Sequence, residues 1–267
     1  MVDSAVISPK RRVCVIGGGV SGLAAAWHLQ VNCPDVDVHL YEAADRLGGH
    51  AHTISVDPFP SNANNSKREK KAIDVDIGFM VYNDHNYPNM CHWFKQLGVE
   101  SEPSDMSLSV SLDDGKKVEW SSDGFQGLIA NKAQLFRPSF YRFLKDMVRF
   151  NAEAGKILTL SPEDPRRHVT LGQYLKNEGY SQEFTTHYLF PMTAALWSSS
   201  MGDVLNFPAD QLIGFMCNHK MLQIFDRPQW KTTAGRSKTY TNKIEEIMGI
   251  KKVHLSCPII SIKSLKN

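Results

Sequence analysis

The chain has 267 residues, 42% of them apolar, and a formal net charge of only +2, which gives material for a real core and argues against a nucleic-acid partner selected by bulk charge. Its five cysteines, at 14, 33, 91, 217 and 257, are odd in number and form no C-x-x-C pair, which argues against both a disulfide framework and a structural zinc site. No apolar run approaches the length of a membrane span, and the first ten residues carry no secretory signal, so a reducing, cytoplasmic setting is expected.

In chain order, residues 12–16 (RVCVI) read as a buried strand. It runs into 17-GGGVSG-22, and a small-residue helix follows from about residue 23. A second strand, 36-VDVHLYE-42, completes a β-turn-α-β unit of about thirty residues. Residues 57–71 are polar, with two prolines, and are expected to form an exposed loop. The stretch 72–82 reads as a strand ending at a glycine turn. From about 85 to 227 the pattern is mostly helical, with a hairpin around Asp114-Gly115. Residues 228–248 place a glycine turn before an amphipathic helix, and 252–256 and 258–263 read as a closing pair of strands.

The chemistry begins at the glycines. Gly17, Gly19 and Gly22 fit G-x-G-x-x-G between a strand and a helix. The first permits the tight turn, the second lets backbone approach a pyrophosphate, and the third lets helix pack close to strand. The pyrophosphate would sit on the free N–H groups of the helix start, at Val20, Ser21 and Gly22. Glu42 lies at the end of the second strand, with Ala43 beside it. An acid there accepts hydrogen bonds from ribose hydroxyls and repels a 2′-phosphate, so FAD or NAD fits better than NADP.

The continuation E-x-x-x-R-x-G-G, with Arg46, Gly48 and Gly49, favours FAD. This array resembles flavoproteins of the amine-oxidase type, and the resemblance implies that the segment wraps the extended cofactor. Arg46 would then support the loop or oppose the diphosphate charge. His50 stands where many such relatives carry an arginine. A neutral histidine offers one donor where arginine offers five, so His50→Arg is expected not to weaken FAD binding. The stretch 74-DVDIGFMVYN-83 resembles the family strand that brings Gly78 and Phe79 to the isoalloxazine. Residues 226–240 resemble the segment returning the chain to the flavin domain, and Ile259 sits where a backbone contact to adenine is expected.

A narrower similarity covers roughly residues 11–262 and rests on 47-LGGHAHT-53, D-I-G-F-M-V-Y-N, Y-P-N-M, L-Q-I-F-D-R-P-Q-W and T-A-G-R-S. These runs resemble the amine-oxidase-like N-terminal part of plant cyclopropane fatty acid synthases and stand-alone FAD-binding oxidoreductases. The fold so implied is α/β: a Rossmann-like FAD-binding domain of the glutathione-reductase type (11–84 and 228–267), interrupted by a mostly helical α+β substrate domain (85–227), with the C-terminal part of the fold missing. The implied activity is FAD-dependent oxidation of a small molecule, an amine or a lipid-like substrate, with no nucleic-acid partner. The alternative is a truncated, non-catalytic nucleotide-binding or scaffolding module.

Three further features have bland readings beside functional ones. His50 and His52 form an H-x-H without a third ligand, so no metal site is expected. Residues 136–150 form an amphipathic helix, either packed on the core with a basic outer face or facing lipid. Residues 188–200, with Trp197, line a cavity or pack in the core. No nucleophilic triad is recognisable, and a flavoenzyme needs none.

Overall fold

A computed structural model describes residues 10–57, 72–197, 199–223 and 227–265. The polar insertion expected to form an exposed loop therefore lies outside the described residues, Asp57 apart. The chain has a mixed α/β fold and divides into two compact units, with boundaries at 105/106 and 228/229.

The first unit is built on β1 (Arg11–Ile16), α1 (Val20–Asn32) and β2 (Val36–Tyr41). β1 and β2 pair in parallel, from Arg11 opposite Val36 to Ile16 opposite Tyr41. Such pairing needs a crossover, and α1 supplies it. Val36, Val38 and Leu40 of β2 are buried with Leu23 and Ala26 of α1 in one core. β3 (Thr53–Val56) and β4 (Ile73–Asp76) form an antiparallel pair. α2 (Pro88–Gln96) contributes Trp93 and Phe94 to the same core. β5 (Ser101–Ser104) also belongs to this unit.

The second unit opens with the hairpin β6 (Ser109–Leu112) and β7 (Val118–Ser121). Asp113, Asp114 and Gly115 turn it with positive φ, at the place the sequence suggested. Helices follow: α3 (Gly124–Leu128), a 3₁₀ turn (Lys132–Phe136), α4 (Pro138–Glu153), α5 (Leu171–Asn177) and α6 (Gln182–Phe184). A π turn (Thr185–Leu189) leads into α7 (Phe190–Trp197), then α8 (Met201–Asn206) and α9 (Ala209–Asn218). Phe140, Phe143 and Phe150 of α4 are buried, so the inner face of this helix packs on the core. Trp197 is half-buried, edge-on to Phe207 and Phe215, which makes it a packing residue.

The chain returns to the first unit with β8 (Trp230–Thr233), antiparallel to β5. Gly235 and Arg236, both at positive φ, feed α10 (Lys238–Met248). β9 (Val253–His254) then pairs in parallel with β2, giving the sheet order β1-β2-β9.

Four expectations need correction. Residues 85–105 belong to the first unit, because Trp93, Phe94, Leu97 and Val99 lie in its core. β1 is not buried on both faces: Ile16 is 50% exposed and Cys14 is exposed, while Val13 and Val15 face α1 and are partly buried. The strand expected over 72–82 stops at Asp76, where its partner β3 begins at Thr53. No strand forms over 258–263: backbone hydrogen bonds run only to Cys257, and Ile260 and Ile262 are exposed.

Candidate functional site

The candidate site lies at the C-terminal ends of β1 and β2 in the first unit. The Gly17 N–H donates to the Tyr41 carbonyl at 2.8 Å, which draws the turn across the ends of both strands. Gly17 has φ 99°, a conformation costly for any other residue. A Cβ on Gly22 would lie 1.9 Å from the Gly17 carbonyl oxygen, so only glycine lets α1 pack this close. Gly19 is different. Its backbone is ordinary (φ −74°, ψ 175°), and a Cβ there would meet no atom within 4 Å. Neither strain nor crowding within the chain demands glycine at 19; a ligand pressed against the backbone would.

Gly19 caps α1 without a side-chain bond, and the first intrahelical bond is Leu23 N–H to the Gly19 carbonyl. The N–H groups of Val20, Ser21 and Gly22 thus form the positive end of a thirteen-residue helix. This is the chemistry that binds a phosphate.

Glu42 sits beside that turn. Its carboxylate accepts the Gly18 N–H through one oxygen and the Ala44 N–H, at 2.7 Å, through the other. These bonds, led by the one from Ala44, hold its pKa below the usual carboxylate range against the opposing effect of burial, and Arg46 adds a smaller pull. A carboxylate has about four lone-pair sites, so room remains for ribose hydroxyls. The Glu42 backbone is also tied to the end of the chain: its N–H donates to the His254 carbonyl and its carbonyl accepts from Cys257. Ala43 is exposed next to it.

The Arg46–His50 segment closes over the glycine turn. Gly48 N–H donates to the Gly18 carbonyl at 2.8 Å, and Gly48 bridges Gly19 in parallel fashion. Gly48 and Gly49 both have positive φ. A Cβ on Gly48 would lie 2.3 Å from the Ala51 carbonyl oxygen. The Arg46 guanidinium donates to the carbonyls of Gly49 (2.9 Å) and Ala51 (3.1 Å). Of the two roles the sequence left open, loop support is the one this geometry makes. His50 is exposed. Its carbonyl accepts the Phe79 N–H, and a Cβ on Gly78 would lie 1.9 Å from that carbonyl oxygen. Gly78 and Phe79 are thus joined to the loop through His50, with the half-buried Phe79 ring stacked near Tyr82. Ile259 is 41% exposed, two residues past the last backbone bond to Glu42.

One part of the assembly was missed in the sequence. Buried Asp76 accepts from Thr53 Oγ1 (2.6 Å), Ser237 N (3.0 Å) and Ser237 Oγ (2.7 Å), tying the β3–β4 pair to the start of α10. β4 is inverted relative to the usual pattern: Ile73 and Val75 are exposed and the acid is inside. The signal was present in D-V-D, where acids alternate with an aliphatic residue, but apolar-in reasoning assigns it the opposite face. Among the described residues no group of three or more His, Cys, Asp or Glu side chains is placed to hold a metal, and no helix is long and apolar enough to cross a membrane.

A parallel β-α-β unit with a glycine-lined turn and an acid at the end of its second strand is of the dinucleotide-binding class. The profile of the family described as flavin containing amine oxidoreductase matches residues 20–264, and the chain belongs to that family. Among curated proteins, protoporphyrinogen oxidase of Saccharomyces cerevisiae is 36% identical over 56 residues, 21% of this chain and 10% of that protein. Among solved structures, a putrescine oxidase superposes with TM-score 0.61 at 19% identity, covering 92% of this chain and 51% of that one. Cyclohexylamine oxidase from Brevibacterium oxydans gives TM-score 0.61 at 20% identity, covering 94% and 52%. These structural likenesses concern the fold, and the chain spans about half the length of the solved structures it matches. The cofactor of the family is a flavin, and the open cradle at Gly17 and Gly19 beside Glu42 fits a flavin dinucleotide.

Proposed function

We propose that this chain carries the FAD-holding part of an FAD-dependent oxidoreductase. The observation that carries the reading is Gly19: a glycine that the chain itself does not require, at the N-terminus of α1, beside an ionised acid. The N–H groups of Val20, Ser21 and Gly22 would hold the pyrophosphate, and Glu42 the ribose hydroxyls. Gly48 and Gly49 let the loop pass close to the cofactor, with Arg46 holding that loop from behind and His50 offering a single donor. Gly78 and Phe79 would approach the isoalloxazine, and Ile259 the adenine. The flavin, when bound, supplies the two-electron acceptor. In this reading the first unit is a Rossmann-like domain of the glutathione-reductase type, and the second unit serves the substrate.

The substrate class is a small molecule oxidised at a C–H bond or an amine. The motifs 47-LGGHAHT-53 and 74-DVDIGFMVYN-83 favour the group resembling the N-terminal part of plant cyclopropane fatty acid synthases, and with it a lipid-like substrate. The test is to purify the protein from the complete gene, look for flavin absorbance, and titrate any stripped protein with FAD. The expected result is a yellow protein, or saturable quenching of flavin fluorescence on reconstitution. A colourless protein that cannot be reconstituted overturns the reading.

A further inference from the structure

We propose that Asp37, His39 and His254 form a proton-operated latch that fastens β9, and with it the backbone of Glu42, to β2. The assignment concerns the chain alone and does not depend on the flavin reading. β9 is only two residues long, with Leu40 opposite Val253 and Tyr41 opposite His254. That is shorter than strands normally run, so side chains must help to hold it. Val36, Val38 and Leu40 of β2 are buried in the core shared with α1, and Asp37, His39 and Tyr41 alternate onto the other face. On that face Nδ1 of His39 lies 3.0 Å from Nε2 of His254. The two ring planes are 16° apart with centroids 5.2 Å apart, so the rings join at their edges. At its far side, His39 Nε2 lies 3.3 Å from Asp37 Oδ2.

Counting protons shows what this chain of bonds can hold. Burial would raise the Asp37 pKa, but the bond from His39 and the charge of Lys252 keep it below the usual carboxylate range. An ionised carboxylate only accepts, so His39 Nε2 carries the proton and His39 Nδ1 is bare. His254 Nε2–H then donates to His39 Nδ1, and no hydrogen bond engages His254 Nδ1 among the described residues. A first proton from solvent enters at His254 Nδ1, and the bond between the rings survives. A second can go only to His39 Nδ1, where it would set N–H against N–H at 3.0 Å. The latched pair therefore holds one added proton, and the same two histidines apart hold two. Since the open state binds more protons in acid, the latch is fully present while both rings are neutral and weakens as pH falls.

The surrounding charges act in the same direction. Asp37 is shared by Arg12 of β1, at 3.8 Å, and by Lys252, at 3.5 Å, which precedes β9 and also donates to Gln30 of α1. One negative charge thus faces two permanent positive ones before the pair takes up any. The other titratable side chains on this face are Cys14 of β1, opposite His39 in register, and Tyr41, whose ring stacks on His254 with centroids 4.4 Å apart. Opening has a local consequence. The Glu42 N–H donates to the His254 carbonyl at 2.9 Å, the Ser256 N–H to the Ala44 carbonyl at 2.8 Å, and the Cys257 N–H to the Glu42 carbonyl at 2.8 Å. Losing the latch exposes these three amides and frees the loop that carries the acid.

The test is hydrogen–deuterium exchange of the protein from the complete gene, between about pH 8 and about pH 5, where histidines change charge. Protection at Glu42, Ser256 and Cys257 is corrected for the intrinsic exchange rate at each pH. It is expected to fall about tenfold over this range, one proton being worth at most about tenfold per pH unit. Amides inside α1 should keep their protection. His39→Gln can still bond to His254 but takes up no proton, so it should flatten the dependence to within about twofold. His254→Gln should do the same from the other side. The proposal is overturned by protection that does not change with pH in the parent, by a fall shared with the α1 amides, or by an equal fall in the parent and both variants. Variants unprotected at every pH also overturn it, since they would assign the two histidines to packing alone.

Discussion

Gly49 stands directly over Gly19: a Cβ built on Gly49 would lie 2.9 Å from the Gly19 Cα. The loop after Glu42 and the turn before α1 therefore meet backbone to backbone on one side of Gly19, while the side where its own Cβ would point is open. Gly49 and Gly22 are thus required by the packing of the chain itself, whereas Gly19 is not. Gly19→Ala should leave the stability of the cofactor-free protein within about 0.5 kcal/mol of the parent, as for a substitution that meets nothing. It should weaken FAD by about tenfold or more, equivalent to about 1.4 kcal/mol. Parallel thermal melts and flavin-fluorescence titrations check this. An unchanged FAD affinity would remove the main support for the dinucleotide reading.

Gly22→Ala should behave in the opposite way. Its Cβ would be driven to 1.9 Å from the Gly17 carbonyl oxygen, and both atoms belong to a rigid helix–turn junction. Overpacking of this kind costs about 1–3 kcal/mol or more. The expected outcome is a lowered melting temperature in the absence of any cofactor. A melt identical to the parent would mean that α1 can move off the turn freely.

Glu42→Gln tests the acid. The depressed pKa arises first from the Ala44 N–H, with help from Gly18. A glutamine has only one acceptor oxygen, so one of these N–H groups would face an NH₂. The cost should be about 1–3 kcal/mol near neutral pH. A carboxyl whose folded pKa is lowered adds stability above its unfolded pKa of about 4.3, and loses it as pH falls through the lower folded value. The gap between variant and parent in urea melts should therefore be widest at neutral pH and shrink in acid. A gap that does not change with pH would assign the effect to shape rather than charge.

The sequence was most legible where chemistry is local. The parallel β-α-β unit, the glycine turn and Glu42 all follow from spacing within about thirty residues, and the structure brings them together. The hairpin at Asp113–Gly115 was readable for the same reason, since the turn dictates its own residues. What failed was non-local. The β5–β8 pair joins Ser101 to Thr233, and nothing in S-E-P-S announces a strand. The membership of 85–105 depends on Trp93 and Phe94 meeting Tyr240, far along the chain. The role of Asp76 went unread because its partners Thr53 and Ser237 lie in two other segments. Apolar patterning cannot see a buried acid whose donors come from elsewhere.

Asp146 offers the corresponding test in the second unit. Burial alone would raise its pKa, but the bonds from Ser181 and the charge of Arg149 outweigh burial and lower it. One oxygen accepts the Ser181 N–H at 2.8 Å, and the other accepts Arg149 Nη2 at 3.1 Å. Arg149 in turn lies 3.9 Å from the centre of the Tyr180 ring and donates to the Glu178 carbonyl. The buried carboxylate thus fastens α4 to the turn that starts α6. Asp146→Asn would turn one acceptor into a donor facing Ser181 or Arg149, at a cost of about 1.5–3 kcal/mol for a charged hydrogen bond. The lowered folded pKa means the contribution is fully present above the unfolded value of about 3.9, and disappears as pH falls through the folded one. Chemical denaturation at neutral and acid pH should show the variant converging on the parent in acid. Parallel curves at both pH values would mean that the carboxylate's charge contributes nothing to this junction.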